Sequence, residues 1–288
     1  MAVPGVRRTL AMAGTILVFL VLAGATYQGV ATALERRQFR HPGRMVDAGG
    51  HQLHIYCSGQ GSPTVVLEAG VAGMSAAWGW VQPRVATVTR VCSYDRAGLG
   101  WSEAGDRSYD PAAVAPALNV LLERADEHAP FVLAGQGLGA ALASIYASRF
   151  GDQVAAIVLI DAPADVARQP AITSTTRLVN ASPWLARAGV LRATRMMSSN
   201  AAGLPAPFAG ALSAFLNRPD HLTRAASELS RWDETVALAQ RAPPDEALRI
   251  VRVNAAGPGR VAFLTDPAQA AAAAAAILDT VATVQRER

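Results

Sequence analysis

The chain has 288 residues, 51% of them hydrophobic and 17% charged, which is long enough and apolar enough to bury a substantial core. All 26 of its Lys+Arg residues are arginine, so chemistry that needs a lysine (a Schiff base, a P-loop) is excluded. The net charge of +4 is modest and the arginines form no stripe with interleaved aromatics, which argues against nucleic acid as a partner.

Two cysteines and five scattered histidines give no metal-ligand spacing, and no metal or other cofactor is expected.

The run Leu10–Tyr27 is apolar and uncharged, and it is as long as one membrane span requires. Arg7 and Arg8 precede it, and weakly apolar sequence continues to Leu34 before Glu35-Arg36-Arg37. It reads as a membrane anchor over residues 1–36, which makes the lipid bilayer an expected partner. A cleaved signal peptide is the alternative, with Ala23-Gly24-Ala25 as the small-residue site and Thr26 as the first mature residue. Arginine counts on the two flanks favour a cytoplasmic domain by a small margin.

Residues 37–288 read as the folded domain. Met45–Asp47 and Gln52–Cys57 predict an antiparallel pair turning at Gly49-Gly50. Short apolar runs at Pro63–Glu68, Thr89–Tyr94, Phe131–Ala134 and Val154–Ile160 predict buried strands, with helices over Ala113–Arg124 and Gly139–Phe150 between the later ones. That alternation predicts an α/β fold, a mostly parallel sheet covered on both faces. From about residue 163 to 244 amphipathic helices with Pro and Gly breaks replace the strands, as in an inserted helical cap. Strand character resumes at Arg249–Val253 and Arg260–Leu264. Asp266-Pro267 opens an alanine-rich helix, whose Ala270–Ala276 tract reads as a close-packing face.

Gly135-Gln136-Gly137-Leu138-Gly139 lies between a predicted strand and a predicted helix. This is the setting of the nucleophile elbow, G-x-S-x-G, in which a strained turn makes a serine hydroxyl project. Both outer glycines are present, but the central residue is Gly137, which has no hydroxyl.

With this turn, Val46–Cys57, Thr64–Gly70, Trp80–Pro83, Arg90–Glu103 and Ser144–Arg149 resemble the α/β-hydrolase superfamily, specifically a bacterial group with an N-terminal membrane helix. Asp95–Ser102 is the most specific of these stretches. They cover under half the chain. The resemblance implies the α/β-hydrolase fold and catalytic residues in the order Ser, acid, His. It also implies that Cys57 and Cys92 lie at adjoining strand ends and form a disulfide. Such a bond needs an oxidising compartment, hence an extracytoplasmic domain, which opposes the arginine count.

The chain departs from the family pattern at the base as well as the nucleophile. His221 is the only histidine after the elbow, and it follows Pro219-Asp220, where a surface helix N-terminus is expected. The family's His position falls on Arg260 if Gly259–Pro267 is the His loop. Otherwise Arg260–Leu264 is the last strand and that loop is deleted. Arginine stays protonated and cannot act as a base. Asp161 and Asp165 stand near a strand end with no Ser–His pair to serve. Ser75 and Ser102 could substitute as nucleophiles, but their settings suit a helix cap and loop hydrogen bonding, and Asp95-Arg96, a conceivable substrate clamp, better suits a structural ion pair or loop brace.

The resemblance therefore implies a membrane-anchored pseudoenzyme that binds a ligand or serves as a subunit of a membrane protein complex. In one form Arg260 and the backbone donors of Val71 and Leu138 hold an anion such as a carboxylate. The competing expectation is an active hydrolase of esters or amides with a non-standard constellation.

Overall fold

The computed structural model describes residues 4–105, 108–163, 172–254 and 264–288. The first helix, α1 (Pro4–Gln38), runs unbroken through Ala23-Gly24-Ala25. Within its segment Arg8–Gln38 an 18-residue window reaches a mean hydropathy of 2.1, and the apolar side chains of Leu10–Leu22 are exposed.

The antiparallel pair β1 (Arg44–Asp47) and β2 (Gln52–Ser58) follows as predicted. The other strands are β3 (Thr64–Glu68), β4 (Val91–Tyr94), β5 (Phe131–Gln136), β6 (Val154–Ile160) and β7 (Arg249–Val253). Together these seven form one sheet in the order β1-β2-β4-β3-β5-β6-β7, with β2 antiparallel to β4 and every later pairing parallel. Every residue of β3 and β4 is buried, as strands covered on both faces must be.

On one face pack α3 (Pro111–Arg124) and α4 (Leu138–Arg149), burying Leu118, Leu121, Leu122 and Tyr146. On the other, the short α2 (Gln82–Val85) and the last helix, α10 (Pro267–Arg286), bury Val85, Ile277 and Val281 beside Trp78. Helix α10 is long and apolar enough to cross a membrane, but Ala270, Ala273, Ala274, Ile277, Val281 and Val284 are buried at helical spacing against the sheet. It is a core helix, and its alanines let it pack close. The expected strand Arg260–Leu264 lies outside the described residues except for Leu264, a buried turn residue.

The cap comprises α5 (Ile172–Arg187), α6 (Val190–Thr194), α7 (Ala206–Phe215), α8 (Pro219–Ser230) and α9 (Trp232–Arg241), inserted between β6 and β7. Phe215, Leu212 and Leu204 from the cap bury Met74 and Ala76 of the segment after β3.

Contacts between α1 and the cap begin at Gly24. A Cβ there would lie 2.0 Å from the Ala188 carbonyl oxygen, and one on Gly189 would lie 2.6 Å from that of Gly24. Gln28, Ala31, Thr32 and Glu35 continue this less exposed stripe at helical spacing. Gln28 Nε2 donates to the Asn217 carbonyl at 2.7 Å, Arg192 Nε donates to Gln28 Oε1 at 2.9 Å, and Arg192 pairs with Glu35. Cys57 and Cys92 face each other in the β2–β4 register and are joined as a disulfide.

Candidate functional site

Strand β5 stops at Gln136, α4 starts at Leu138, and Gly137 alone makes the turn, with φ 57° and ψ −120°. Its N–H donates to the Ile160 carbonyl at 2.9 Å, which fixes the turn to the neighbouring strand end. A Cβ added at Gly137 would meet nothing within 4 Å, so the position faces open space and only the backbone conformation resists a side chain. The outer glycines are under the opposite constraint. A Cβ on Gly135 would come within 2.3 Å of the Gly139 carbonyl oxygen, and one on Gly139 within 2.2 Å of that of Glu68. Gly135 lets α4 pack against the end of β5, and Gly139 lets it sit on the end of β3.

The turn after β3 lies alongside, with Gln136 Oε1 only 2.4 Å from where a Gly70 Cβ would be. The structure thus places Val71, just after Gly70, and Leu138, the first residue of α4, on adjoining segments. Arg260 and Asp165 lie outside the described residues. Asp161 directly follows β6 with φ 45°, its N–H donating to the Val253 carbonyl at 2.7 Å.

Beneath this turn is a buried charge cluster. Arg96 donates from Nη1 to Glu68 Oε1 (2.6 Å) and the Ala69 carbonyl, and from Nη2 to the Gly70 carbonyl (2.7 Å). Its Nε and Nη2 also donate to the two oxygens of Glu228 in α8, at 2.8 and 2.9 Å. Tyr94 donates its hydroxyl to the other Glu68 oxygen. Burial raises the Glu68 carboxyl above its ordinary value despite the pull of Arg96, and burial pushes the Tyr94 hydroxyl up as well. Arg96 is indeed a brace, but it links the sheet, the Gly70 turn and the cap, and does not pair with Asp95.

Asp95 has its own partners: the N–H groups of Ser75 (2.6 Å) and Trp101 (2.9 Å), and His54 Nδ1 at 3.0 Å. Burial acts to raise this carboxyl, but the His54 ring and these donors hold it below the usual range. Ser75 Oγ lies 3.4 Å from the same His54 Nδ1, which brings a serine, a histidine and an aspartate together. Their geometry is not that of a relay, in which acid and nucleophile occupy different ring nitrogens. Both meet Nδ1, while Nε2 is buried without a hydrogen-bond partner, and all three residues are buried. Ser75 opens a short 3₁₀ turn (Ser75–Trp78) without the expected side-chain cap. Ser102 performs the expected loop bonding, donating to the Asp95 carbonyl and accepting from the His54 N–H.

His221 lies in the first turn of α8 as expected, but it is buried and not on the surface. Its Nδ1 accepts from the Gly100 N–H and its Nε2 donates to the Ala72 carbonyl, both at 3.0 Å. Burial lowers its pKa to about 4, so the ring is neutral and both nitrogens are committed. Among the described residues, Cys57, Cys92 and Glu127 alone gather ligand atoms closely enough for a metal, and the two sulfurs are bonded to each other.

Glu228 gave no signal in the sequence, because an acid on an amphipathic helix looks like a solvated residue. Glu68, ending an otherwise apolar strand, was a legible clue to a buried ion pair.

The sheet order, the elbow at the end of β5 and the cap inserted after β6 define an α/β-hydrolase architecture. Residues 63–253 match the family described as alpha/beta hydrolase fold, and the chain belongs to that family. It is similar to 2-hydroxy-6-oxo-2,4-heptadienoate hydrolase of Pseudomonas putida, 33% identical over 129 residues, 42% of this chain and 44% of that protein. An uncharacterised Schizosaccharomyces pombe protein is 36% identical over 85 residues, 28% of this chain and 15% of that protein. The chain thus spans less than half the length of both curated relatives. Among solved structures it is similar to Cfl2 from Burkholderia cenocepacia, with a TM-score of 0.61 at 23% identity over 83% of this chain and 95% of that one. It is also similar to the epoxide hydrolase CorEH, with a TM-score of 0.65 at 15% identity over 84% and 98%. At such identities these likenesses concern the fold alone.

Proposed function

We propose that this is a membrane-anchored α/β-hydrolase-fold protein that has given up serine catalysis and works as a binding or structural subunit, possessing the elbow but not its chemistry. The observation that carries this reading is Gly137, which occupies the nucleophile position in the elbow conformation, facing open space with no hydroxyl. Support comes from His221, whose two nitrogens are used in holding α8 to the Gly70 and Gly100 turns. In this reading the backbone donors of Val71 and Leu138, with Arg260, bind an anion such as a carboxylate. The bilayer is a partner through α1, and the contacts of Gly24, Gln28 and Glu35 with the cap favour a retained helix over a cleaved signal. The Cys57–Cys92 bond favours an extracytoplasmic domain.

The test is hydrolysis of activated short-chain esters and labelling by a serine-directed phosphonate, using the full chain in detergent. Turnover equal to a heat-denatured control, with no labelled serine, is expected. Turnover above that control with a labelled residue would overturn the reading. A label on Ser75 would point to the cluster around His54, which its shared Nδ1 contact and burial oppose.

A further inference from the structure

The cap carries a charge asymmetry that the elbow does not explain. From Ile172 to Pro219 the sequence contains five arginines and no acidic residue. Within this stretch the side chain of Trp184 is 72% exposed, and Val190 and Met196 are exposed too. Large apolar side chains otherwise stand out on the exposed Leu10–Leu34 part of α1, at Val88 and at Ile250.

The location of this patch matters. Gly24 crosses the chain at Ala188-Gly189, so Trp184 is one helical turn before the crossing and Val190 directly after it. A span of roughly 20 residues that begins near Thr9 ends near Gln28. Gln28 is where α1 turns to polar partners, Asn217 and Arg192. The exposed tryptophan therefore stands at the level where the span would leave the hydrocarbon, the depth at which its amphipathic ring is most favourably placed. Arg187 lies over the Trp184 ring at 5.1 Å, and both Arg187 and Arg195 are exposed with no acid in this stretch to neutralise them. Arg218 adds a guanidinium whose Nε and Nη2 are buried without hydrogen-bond partners, stacked 3.7 Å over Phe215.

We infer that the α5–α6 face of the cap is a second membrane contact, seated on anionic lipid headgroups of the same bilayer that holds α1, with Trp184 as its interfacial anchor. This inference rests on the reading of α1 as a retained membrane helix. Continuity between the Gly24 crossing and the exposed patch, and the exposed Arg187 and Arg195 in a stretch of sequence without acidic residues, select a lipid surface over an acidic protein. The apolar anchors belong in the headgroup region beside a membrane helix.

The test uses the full chain reconstituted in vesicles of phosphatidylcholine and phosphatidylglycerol. Phe19, Trp184 or Val88 is replaced in turn by the photo-crosslinking residue p-benzoylphenylalanine. All three side chains are exposed, and Val88 lies before β4, at the opposite end of the sheet from the elbow. Lipid adducts are expected at 19 and 184 and not at 88. Neutralising Arg187→Gln and Arg195→Gln should weaken the seating about fivefold per arginine, read as loss of adduct at 184. Adduct at 19 with no more at 184 than at 88 would overturn the cap contact and leave the anchor standing. Absence of adduct at 19 would remove the anchor reading and the seating with it. Quenching by brominated lipid of a fluorescence component lost in Trp184→Phe is the independent check, and its absence would also count against the seating.

Discussion

Three glycines in one turn answer to different physics. Gly137 has open space around its missing Cβ and a backbone conformation that other residues adopt only under strain. Gly137→Ser should therefore fold, lose about 1–3 kcal/mol in chemical denaturation and gain no esterase turnover, because a hydroxyl without a base is a poor nucleophile. Gly139→Ala places a methyl group 2.2 Å from the Glu68 carbonyl oxygen, where backbone must yield. It should cost roughly 3 kcal/mol, read in the same experiment. At His221 the ring is neutral and buried, with a pKa near 4 against an ordinary 6.5. The unfolded chain then binds its proton first. Its contribution to stability is complete above about pH 6.5 and is lost as pH falls toward 4, by about 3 kcal/mol. His221→Gln should flatten this difference between pH 4 and 6.5, compared with the wild type by denaturation at each pH.

At the scale of elements, Arg96 decides how the cap sits. It joins Glu68 at the end of β3, the Ala69-Gly70 turn and Glu228 of α8. Arg96→Met would strand two buried carboxylates and should destabilise the domain by about 3–5 kcal/mol, measured by denaturant titration. Lysine would not rescue it, since a point charge cannot reproduce the forked donors. Much of this architecture was legible in the sequence. The strand–helix alternation, the Gly49-Gly50 hairpin, the cap between β6 and β7 and the Asp266-Pro267 helix start all leave local signatures in residue type and spacing. The pairing of Cys57 with Cys92 followed from the resemblance to a known fold. What local pattern could not convey is who meets whom across the chain. His221 looked like a surface cap residue because Pro219-Asp220 marks a helix start equally well on a buried face. Ser75, His54 and Asp95 lie up to 41 positions apart, so their convergence, and the shared nitrogen that disqualifies it as a relay, needed the folded chain.

For the whole molecule, the bond between Cys57 and Cys92 closes a loop with a sequence separation of 35. Cys57→Ser with Cys92→Ser should lower stability by about 3–4 kcal/mol through the freed unfolded chain. Thiol titration of the protein isolated without reductant from its native cells should find no free cysteine before reduction. The cap is held at several of its margins: by Arg96 and His221 to the sheet-end turns, and by Gly24, Gln28 and Glu35 to α1. Substituting Gly24→Leu should pry α1 from the Ala188-Gly189 crossing and expose the α1–α5 junction to protease. The Arg96 cluster also sets a timescale for the cap. Lifting the cap would part a buried guanidinium from a buried carboxylate, so the cap has no inexpensive open state of its own. Amide hydrogens of α8 should then exchange with deuterium only when the central strands do, as one cooperative unit, and any occupant of the site would trade places with solvent on the slow clock of that shared opening.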